Sequence, residues 1–263
     1  MSFEISLRGT PTFIDTGYEE SLGIYGQEFW SLINSNAYES ETFDFIQRTF
    51  IPGAFFFDIG AATGCMSIYA AQLGYKVVAV EPQSSVFEGL KRNVALNTSL
   101  RANIELIHAL VVNSESKDSE KISEFFTAGA AGPLENLTSS VSRISMRKLL
   151  SNSDSDIRTV FKVDIEGAEF NLLRDIELLS ELKVRNSVMY LSLHPGFLSP
   201  LRSSSKLARL VWLVKATREV AILYFRLRRF SIIMDNKGTA PMNLVDILRH
   251  LNDDSRDFQI NFQ

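Results

Sequence analysis

The sequence predicts an α/β protein: a doubly wound, mostly parallel seven-stranded sheet with helices on both faces and a last strand running antiparallel. Two observations carry this. From Ala54 onward, short apolar runs alternate with segments of helical period, in the order strand, helix, strand, helix, strand. The first of these runs ends in an acid, Asp58, followed by Gly60 and Gly64, which is the punctuation of a strand, a tight turn and a new helix.

The leader, residues 1–53, contains Glu39 to Phe50, with Phe43, Ile46 and Phe50 at helical spacing and Pro52-Gly53 as a stop signal. A cover helix packed on the sheet edge is expected there. Residues 54–263 are expected to form one unit. Ala54 to Ile59 reads as a buried parallel strand, Met66 to Leu73 as a helix closed by Gly74, and Lys76 to Val80 as the second strand. Ser85 to Leu96 is a helix with Val86, Leu90 and Val94 on one face, and Asn103 to Val112 is the third strand. Ser114 to Ser140 is rich in Ser, Gly, Asp and Glu and reads as a long surface connection, either a lid or a variable insertion. A short helix is expected over Ile144 to Leu150, a fourth strand over Thr159 to Ile165, and a helix from Ala168 to about Leu182. Ser187 to Leu193 is the fifth strand. After a helix from Leu207, strands at Phe230 to Met234 and Phe258 to Phe262, with a turn at Asp235 to Gly238 and a helix at Leu244 to Leu251, would close the sheet edge.

Bulk properties bound the function. A net charge of -4 argues against a generic nucleic-acid binder. A single cysteine, Cys65, excludes an internal disulfide framework and a cysteine-rich zinc site, and agrees with a reducing compartment. The N-terminus lacks a basic head followed by an apolar run, so a cytoplasmic protein is expected. Leu207 to Phe225 carries Arg209, Lys215, Arg218 and Glu219 and is too charged to span a membrane.

The chemistry centres on Asp58-Ile59-Gly60-Ala61-Ala62-Thr63-Gly64. Ligands of such sheets bind at the carboxyl ends of the strands. A dinucleotide site would need Gly-x-Gly-x-x-Gly, but counting from Gly60 the second and third glycines are replaced by Ala62 and Cys65. Asp58 would also repel a pyrophosphate. S-adenosylmethionine has no phosphate and carries a positive amino group and a sulfonium, so a carboxylate suits it. Glu81, before Pro82, ends the second strand, where an acid can accept both hydroxyls of a ribose; nicotinamide and S-adenosylmethionine sites share that feature.

A second constellation is Lys162-Val163-Asp164-Ile165-Glu166-Gly167-Ala168-Glu169. Lys162 and Asp164 share one strand face; Glu166 and Glu169 suit a helix N-terminus as caps or as functional acids. His194 ends the fifth strand before Pro195 and can take a proton near neutral pH. His108, inside a strand, reads as packing or cofactor-adjacent, and His250 as surface. Cys65 lacks an evident histidine partner and is not expected to be a nucleophile. Asp164, Glu166 and His194 are metal-ligand types, but their spacing is no metal signature and no metal is expected. Arg202 and the Arg226, Arg228, Arg229 cluster read first as a solvated helix face, with an acidic sugar or a membrane surface as the other readings.

These motifs together resemble the FkbM family of class I methyltransferases. The carrying residues are Phe57-Asp58-Ile59-Gly60-Ala61 with Gly64, Glu81-Pro82, Asn93 and Asn97, the segment Lys162 to Glu169, and Leu193-His194-Pro195. The similarity spans about Tyr38 to Pro195. It implies an S-adenosylmethionine-dependent domain over residues 54–263 and O-methylation of a hydroxyl on a sugar or other secondary metabolite. It also implies cofactor contacts at Asp58, Gly60, Gly64 and Glu81, to which the strand ends add Ala61, Pro82, Ala109 and Asp164. His194 and Asp164 are the candidate bases, with Glu166 as an orienting group. The chain departs from the family at Ala62 and Thr63, where members often have Asn and then Ile or Val, and at Ser192, where many have an acid. Two other readings are a catalytically silent methyltransferase-like binding module and a nicotinamide-dependent oxidoreductase, the latter disfavoured by the missing glycines.

Overall fold

Alternation along each strand decides which layer a side chain enters. In the computed structural model Phe56, Val77, Ala79, Val160, Val188 and Tyr190 point into one apolar core. Their neighbours Phe57, Val78, Val80, Phe161, Met189 and Leu191 point into a second one. Both faces of the sheet are therefore covered, as a parallel sheet requires. The structure describes residues 2–15, 27–113, 141–151, 153–165, 168–194, 206–252 and 256–263.

The leader forms β1 (Ser2–Leu7), β2 (Thr10–Asp15), α1 (Gln27–Asn34) and α2 (Ser40–Thr49). The body follows with β3 (Phe55–Ile59), α3 (Cys65–Leu73), β4 (Lys76–Glu81), α4 (Ser84–Leu96) and β5 (Ile104–Val112). Then come β6 (Ser142–Ser145), α5 (Met146–Leu150), β7 (Thr159–Val163), α6 (Glu169–Leu172), α7 (Ile176–Val184) and β8 (Val188–Ser192). The chain ends with α8 (Lys206–Leu227), β9 (Ser231–Met234), α9 (Leu244–Asn252) and β10 (Asp257–Phe262).

The main sheet has the order β6-β5-β4-β3-β7-β8-β10-β9. Strands β3 to β8 pair in parallel, and β10 runs antiparallel to both of its neighbours. The chain starts the sheet in its middle at β3, builds outward through β4 and β5, then returns to the other side of β3 at β7. That reversal opens a crevice at the carboxyl ends of β3, β4 and β7, where ligands of open α/β sheets bind. This is the expected doubly wound fold, with eight strands instead of seven. The additional strand, Ser142-Arg143-Ile144-Ser145, pairs at the edge with Ala109 to Val112. Four residues are too few to show alternation, so only the helix after it was legible. The long helix expected from Ala168 is two helices, because Asp175 caps a new start by accepting from the Leu178 N–H at 2.9 Å. The connection expected over Ser114 to Ser140 lies outside the described residues.

The leader is more structured than its sequence suggested. Arg8 (φ 49°) and Gly9 (φ 88°) both take positive φ between β1 and β2, the backbone of a two-residue hairpin turn whose twist matches the strands. α2 covers the face of the sheet rather than its edge: Phe43, Phe45 and Ile46 are buried, and the Phe45 ring lies 5.1 Å from that of Tyr190 on β8. Each such side chain contributes roughly 1.5–3 kcal/mol by leaving water.

Asn93 of α4 and Asn97, just past its end, fasten the hairpin to the body. Asn97 reads the Phe13 peptide from both sides, its amide donating to the Phe13 carbonyl at 2.7 Å and its Oδ1 accepting from the Phe13 N–H at 3.1 Å. Asn93 Oδ1 accepts from the Asp15 N–H at 2.8 Å. Replacing Asn97 with Ala leaves that peptide unpaired beside the helix and is expected to cost about 1–3 kcal/mol. Amide hydrogen exchange tests this: residues 2–15 should lose protection in the variant while the amides of β3 and β7 keep theirs.

Candidate active site

The loop after β3 is shaped by close backbone approach. Gly60 has φ +84°, and a Cβ added there would lie 2.0 Å from the carbonyl oxygen of Asp164. Only glycine lets β3 leave the sheet that close to the end of β7. The Gly60 and Ala61 N–H groups both donate to the Val80 carbonyl at 3.0 Å, and the Asp164 N–H donates to the Ile59 carbonyl at 3.0 Å. Gly64 has φ +90°, and a Cβ there would meet Leu90 Cδ1 at 2.4 Å, so α3 can begin hard against α4. Between them Ala62 has φ 48°, a left-handed conformation that costs a residue with a Cβ roughly 1–2 kcal/mol. Asparagine tolerates that region better, which gives a physical reason for the Asn that the resembled family often carries here.

Glu81 is tied to this loop. Its Oε2 accepts from the Ala62 N–H at 3.0 Å and its Oε1 from the Gln83 N–H at 2.8 Å. Burial pushes its carboxyl up to about 7, against the pull of those two N–H groups and of Lys162. Each oxygen keeps a further lone pair for a ligand.

Lys162 lies beneath the loop. Its buried ammonium donates to the Gly60 carbonyl at 3.0 Å and stands 3.4 Å from Asp164 Oδ2 and 3.9 Å from Asp58 Oδ1. Burial alone would pull its pKa down; the carboxylates of Asp164, Asp58 and Glu39 outweigh burial and hold it protonated. Asp58 is wholly buried, and its Oδ2 accepts from the Ser67 hydroxyl at 2.6 Å. Burial raises its carboxyl, opposed by Lys162. Its side chain thus serves the underside of the loop, while its backbone leads into it. Glu39, in the leader, is raised by burial and faces Lys162, Asp164 and Asp257.

The third group gathers at the ends of β7 and β8. His194 Nδ1 lies 2.9 Å from Glu169 Oε1, and Nε2 lies 3.7 Å from Asp164 Oδ1. Glu169 is wholly buried, and the same Oε1 accepts from the Ile165 N–H at 3.1 Å. A carboxylate oxygen can only accept, so Nδ1 carries the proton of that contact, and Nε2 faces Asp164. Asp164 is the more exposed member, with 24% of its side chain accessible. Ser192, where the family often has an acid, donates to Asp257 Oδ1 at 2.6 Å. The acid at this edge is brought by β10, its carboxyl raised by burial.

The expected site residues divide by place. Gly60, Ala61, Gly64 and Glu81 form the loop and its anchor. Asp164 and His194 meet at the neighbouring strand ends. Pro82 is the turn after β4, and its carbonyl accepts from His108 Nε2 at 3.1 Å; the His108 ring stacks on Phe87 at 4.8 Å. Ala109 stands one residue beyond the level of Glu81 on β5, with its methyl in the core. Cys65 is buried, and burial pushes its thiol up, which disfavours the thiolate. His250 is partly buried beside Phe258. Glu166, Pro195 and Arg202 lie outside the described residues. Glu169, expected as a cap or a functional acid, bonds to His194; Glu39 and Asp257 are the groups that the motif spacing did not single out for this edge.

The donor set can be tested against a ligand. Acceptors dominate: Glu39, Asp58, Glu81, Asp164 and Asp257 surround Lys162, which already contacts Gly60, Asp58 and Asp164. That environment suits a cationic ligand with a ribose diol and opposes a pyrophosphate. Asp164, Glu169 and His194 are, among the described residues, the one group of ligand-type side chains whose donor atoms lie within 4.8 Å of one another. By donor type they would also suit a divalent cation.

The family model described as "Methyltransferase FkbM domain" matches residues 58–201. A comparison with curated proteins found no match. Among solved structures, the chain is similar to a TehB-like SAM-dependent methyltransferase from Corynebacterium glutamicum, with 10% identity, 93% of this chain and 99% of that one covered, and a TM-score of 0.43. It is similar to a ribosomal protein L11 methylase from Lactobacillus delbrueckii subsp. bulgaricus, with 16% identity, coverages of 87% and 79%, and a TM-score of 0.38. It is similar to a precorrin-6y C5,15-methyltransferase from Geobacter metallireducens, with 15% identity, coverages of 84% and 78%, and a TM-score of 0.37.

Removing the buried ammonium isolates carboxylates that have little other compensation. Lys162→Met is expected to destabilise the fold by about 3–5 kcal/mol and lower Tm by roughly 10 °C. Adding Asp58→Asn to that variant should restore part of the loss in a thermal melt, because one of the stranded charges is then gone.

Proposed function

Because this chain belongs to the FkbM family of methyltransferases, we propose that it transfers the methyl group of S-adenosylmethionine to a hydroxyl, on a sugar or another secondary metabolite. The observation that carries the choice of a hydroxyl is the line Glu169–His194–Asp164 beside the Gly60 to Gly64 loop. An alcohol is a poor nucleophile until its proton leaves, so the acceptor needs a base at the carboxyl edge of the sheet.

The residues fit the cofactor. Glu81 would take the ribose hydroxyls with the lone pairs that Ala62 and Gln83 leave free. The turn from Gly60 to Gly64 would lie along the nucleoside, and the acidic surroundings favour a positive amino acid moiety. When bound, S-adenosylmethionine supplies an activated methyl group, so the chain's task is alignment and proton removal.

His194 is the base in this reading. Its Nδ1–H is held by Glu169, and Nε2 takes the proton of the acceptor hydroxyl as the oxygen attacks. The resulting imidazolium is flanked by Glu169 at 2.9 Å and by Asp164 at 3.7 Å, two carboxylates that stabilise the new positive charge. Asp164 is also placed to accept a hydrogen bond from the acceptor and orient it. The absence of an acid at position 192 does not disarm the histidine, because Glu169 fills the orienting role.

Two measurements follow. The Glu81 carboxyl, raised to about 7, must be ionised to accept both ribose hydroxyls. Affinity for S-adenosylmethionine measured by calorimetry should therefore rise from pH 6 to pH 8 and level off above. Glu81→Gln should bind more weakly and lose that pH dependence; an unchanged affinity in Glu81→Gln would remove Glu81 from the site. Separately, methyl transfer from labelled S-adenosylmethionine into a glycan and metabolite extract should yield a methyl ether. His194→Ala should slow it by about 10²–10⁴-fold with cofactor affinity unchanged. Full turnover by that variant would rule out His194 as the base.

A further inference from the structure

The helix α8 is longer than the sheet it packs on. Its 22 residues span about 33 Å at 1.5 Å per residue. β8, the strand before it, has five residues and spans roughly 17 Å. Among the side chains of α8 that the structure describes, the buried ones are Ala216, Val220, Leu223 and Leu227, spaced as one helical face, and the last three line the same apolar layer as Leu191, Leu193 and Ile260. The direction is fixed by register. α8 leads into Ser231, which pairs with Phe262, while Asp257 pairs with Ser192 at the carboxyl end of β8. The C-terminal end of α8 is thus at the amino edge of the sheet, and its N-terminal half extends past the carboxyl edge, where Asp164 and His194 sit.

That projecting half is apolar on the outside. Leu207, Leu210, Val211 and Val214 are 72%, 57%, 54% and 62% exposed and follow the spacing of a single face, about 180° from the buried one. Phe225, also exposed, falls on the same line. A contiguous row of large aliphatic side chains facing water marks an interaction surface. Its surroundings are strongly basic. Residues 206–229 hold seven of the chain's 27 Lys and Arg, against the single acid Glu219, in a protein whose net charge is -4. Glu219 is moreover engaged by Arg174 at 2.8 Å. Lys215, Arg218, Arg228 and Arg229 are exposed, and Arg218 lies on the apolar line itself.

We infer that the outer face of α8 docks on an anionic lipid surface, lying in the interface with Leu207, Leu210, Val211 and Val214 among the acyl chains and its basic side chains on the headgroups. Charge selects this occupant. A second copy of α8 would bring an equally basic helix against the first, whereas anionic headgroups neutralise it. No helix among the described residues is long and apolar enough to cross a membrane, so the helix lies on the surface rather than through it. Docked in this way, the carboxyl edge of the sheet faces the lipid, and the methyl acceptor would be reached among headgroup hydroxyls. The docking itself does not depend on the methyl-transfer reading.

Vesicle sedimentation with the full chain tests it. Vesicles of phosphatidylcholine with about one-third phosphatidylserine should pull down the protein, vesicles of phosphatidylcholine alone should not, and the binding should weaken as salt is raised. Leu210→Asp/Val214→Asp and, independently, Lys215→Glu/Arg218→Glu should each lower partitioning by about 10-fold or more with Tm unchanged. The proposal is overturned if wild-type protein ignores the anionic vesicles. It is equally overturned if the aspartate variant instead loses a concentration-dependent dimer in sedimentation velocity, which would make the face a contact between copies. A large fall in Tm of the aspartate variant, with vesicle binding intact in the glutamate variant, would show that the chain covers the row itself and would also overturn it.

Discussion

The buried ammonium of Lys162 is the interaction on which the carboxyl edge of this sheet depends. It reaches from β7 to the Gly60 carbonyl at 3.0 Å and lies between Asp58 and Asp164. An edge meant for a cationic ligand must be acidic, and carboxylates gathered out of water repel one another and resist ionisation. A lysine placed among them offsets that repulsion from below without filling the crevice above. By holding the first carbonyl of the loop it also couples the chemistry of β7 to the shape of the turn after β3. The acidity of the site and the geometry of its loop are thus maintained by one side chain.

Strand ends were legible in the sequence because each is a local event. An apolar run stops, an acid or a glycine follows, and the place of that acid in an open parallel sheet is set by the fold. Asp58, Glu81, Asp164 and His194 all stand where such punctuation puts them. What the sequence could not convey is which strand ends meet side by side and which side chains turn beneath the crevice. Asp58 is interior, and Glu169 is a carboxylate on the His194 ring. Asp257 enters from a strand 65 residues beyond Ser192, a relation created only by the antiparallel pairing of β10 with β8. Glu39 belongs to a leader whose helix announced only its apolar face.

The leader itself shows a different limit. β1 and β2 are six residues each, and much of what holds them is supplied from outside: the side chains of Asn93 and Asn97, which read the peptides of Phe13 and Asp15. β1 does alternate, with Phe3, Ile5 and Leu7 against Ser2, Glu4 and Ser6, but a two-stranded ribbon is marginal without something to pack on, and alternation does not say what that is. The information lay instead in Asn93 and Asn97, two polar residues on an otherwise helical segment. Polar residues that become buried, as both of these do, are kept because they satisfy particular peptide groups.

Asn93 has a second engagement. While its Oδ1 receives the Asp15 N–H, its amide donates to the Thr63 carbonyl at 2.9 Å. One side chain is therefore shared between the end of the hairpin and the turn that would enclose the nucleoside. Two segments joined through one rigid amide cannot be ordered independently. A ligand that tightens the turn also restrains the hairpin, and by thermodynamic reciprocity whatever restrains the hairpin raises the affinity of the turn by the same factor. If the turn holds the cofactor as proposed, the leader would be a remote handle on its occupancy, acting through a single planar group at the far side of α4.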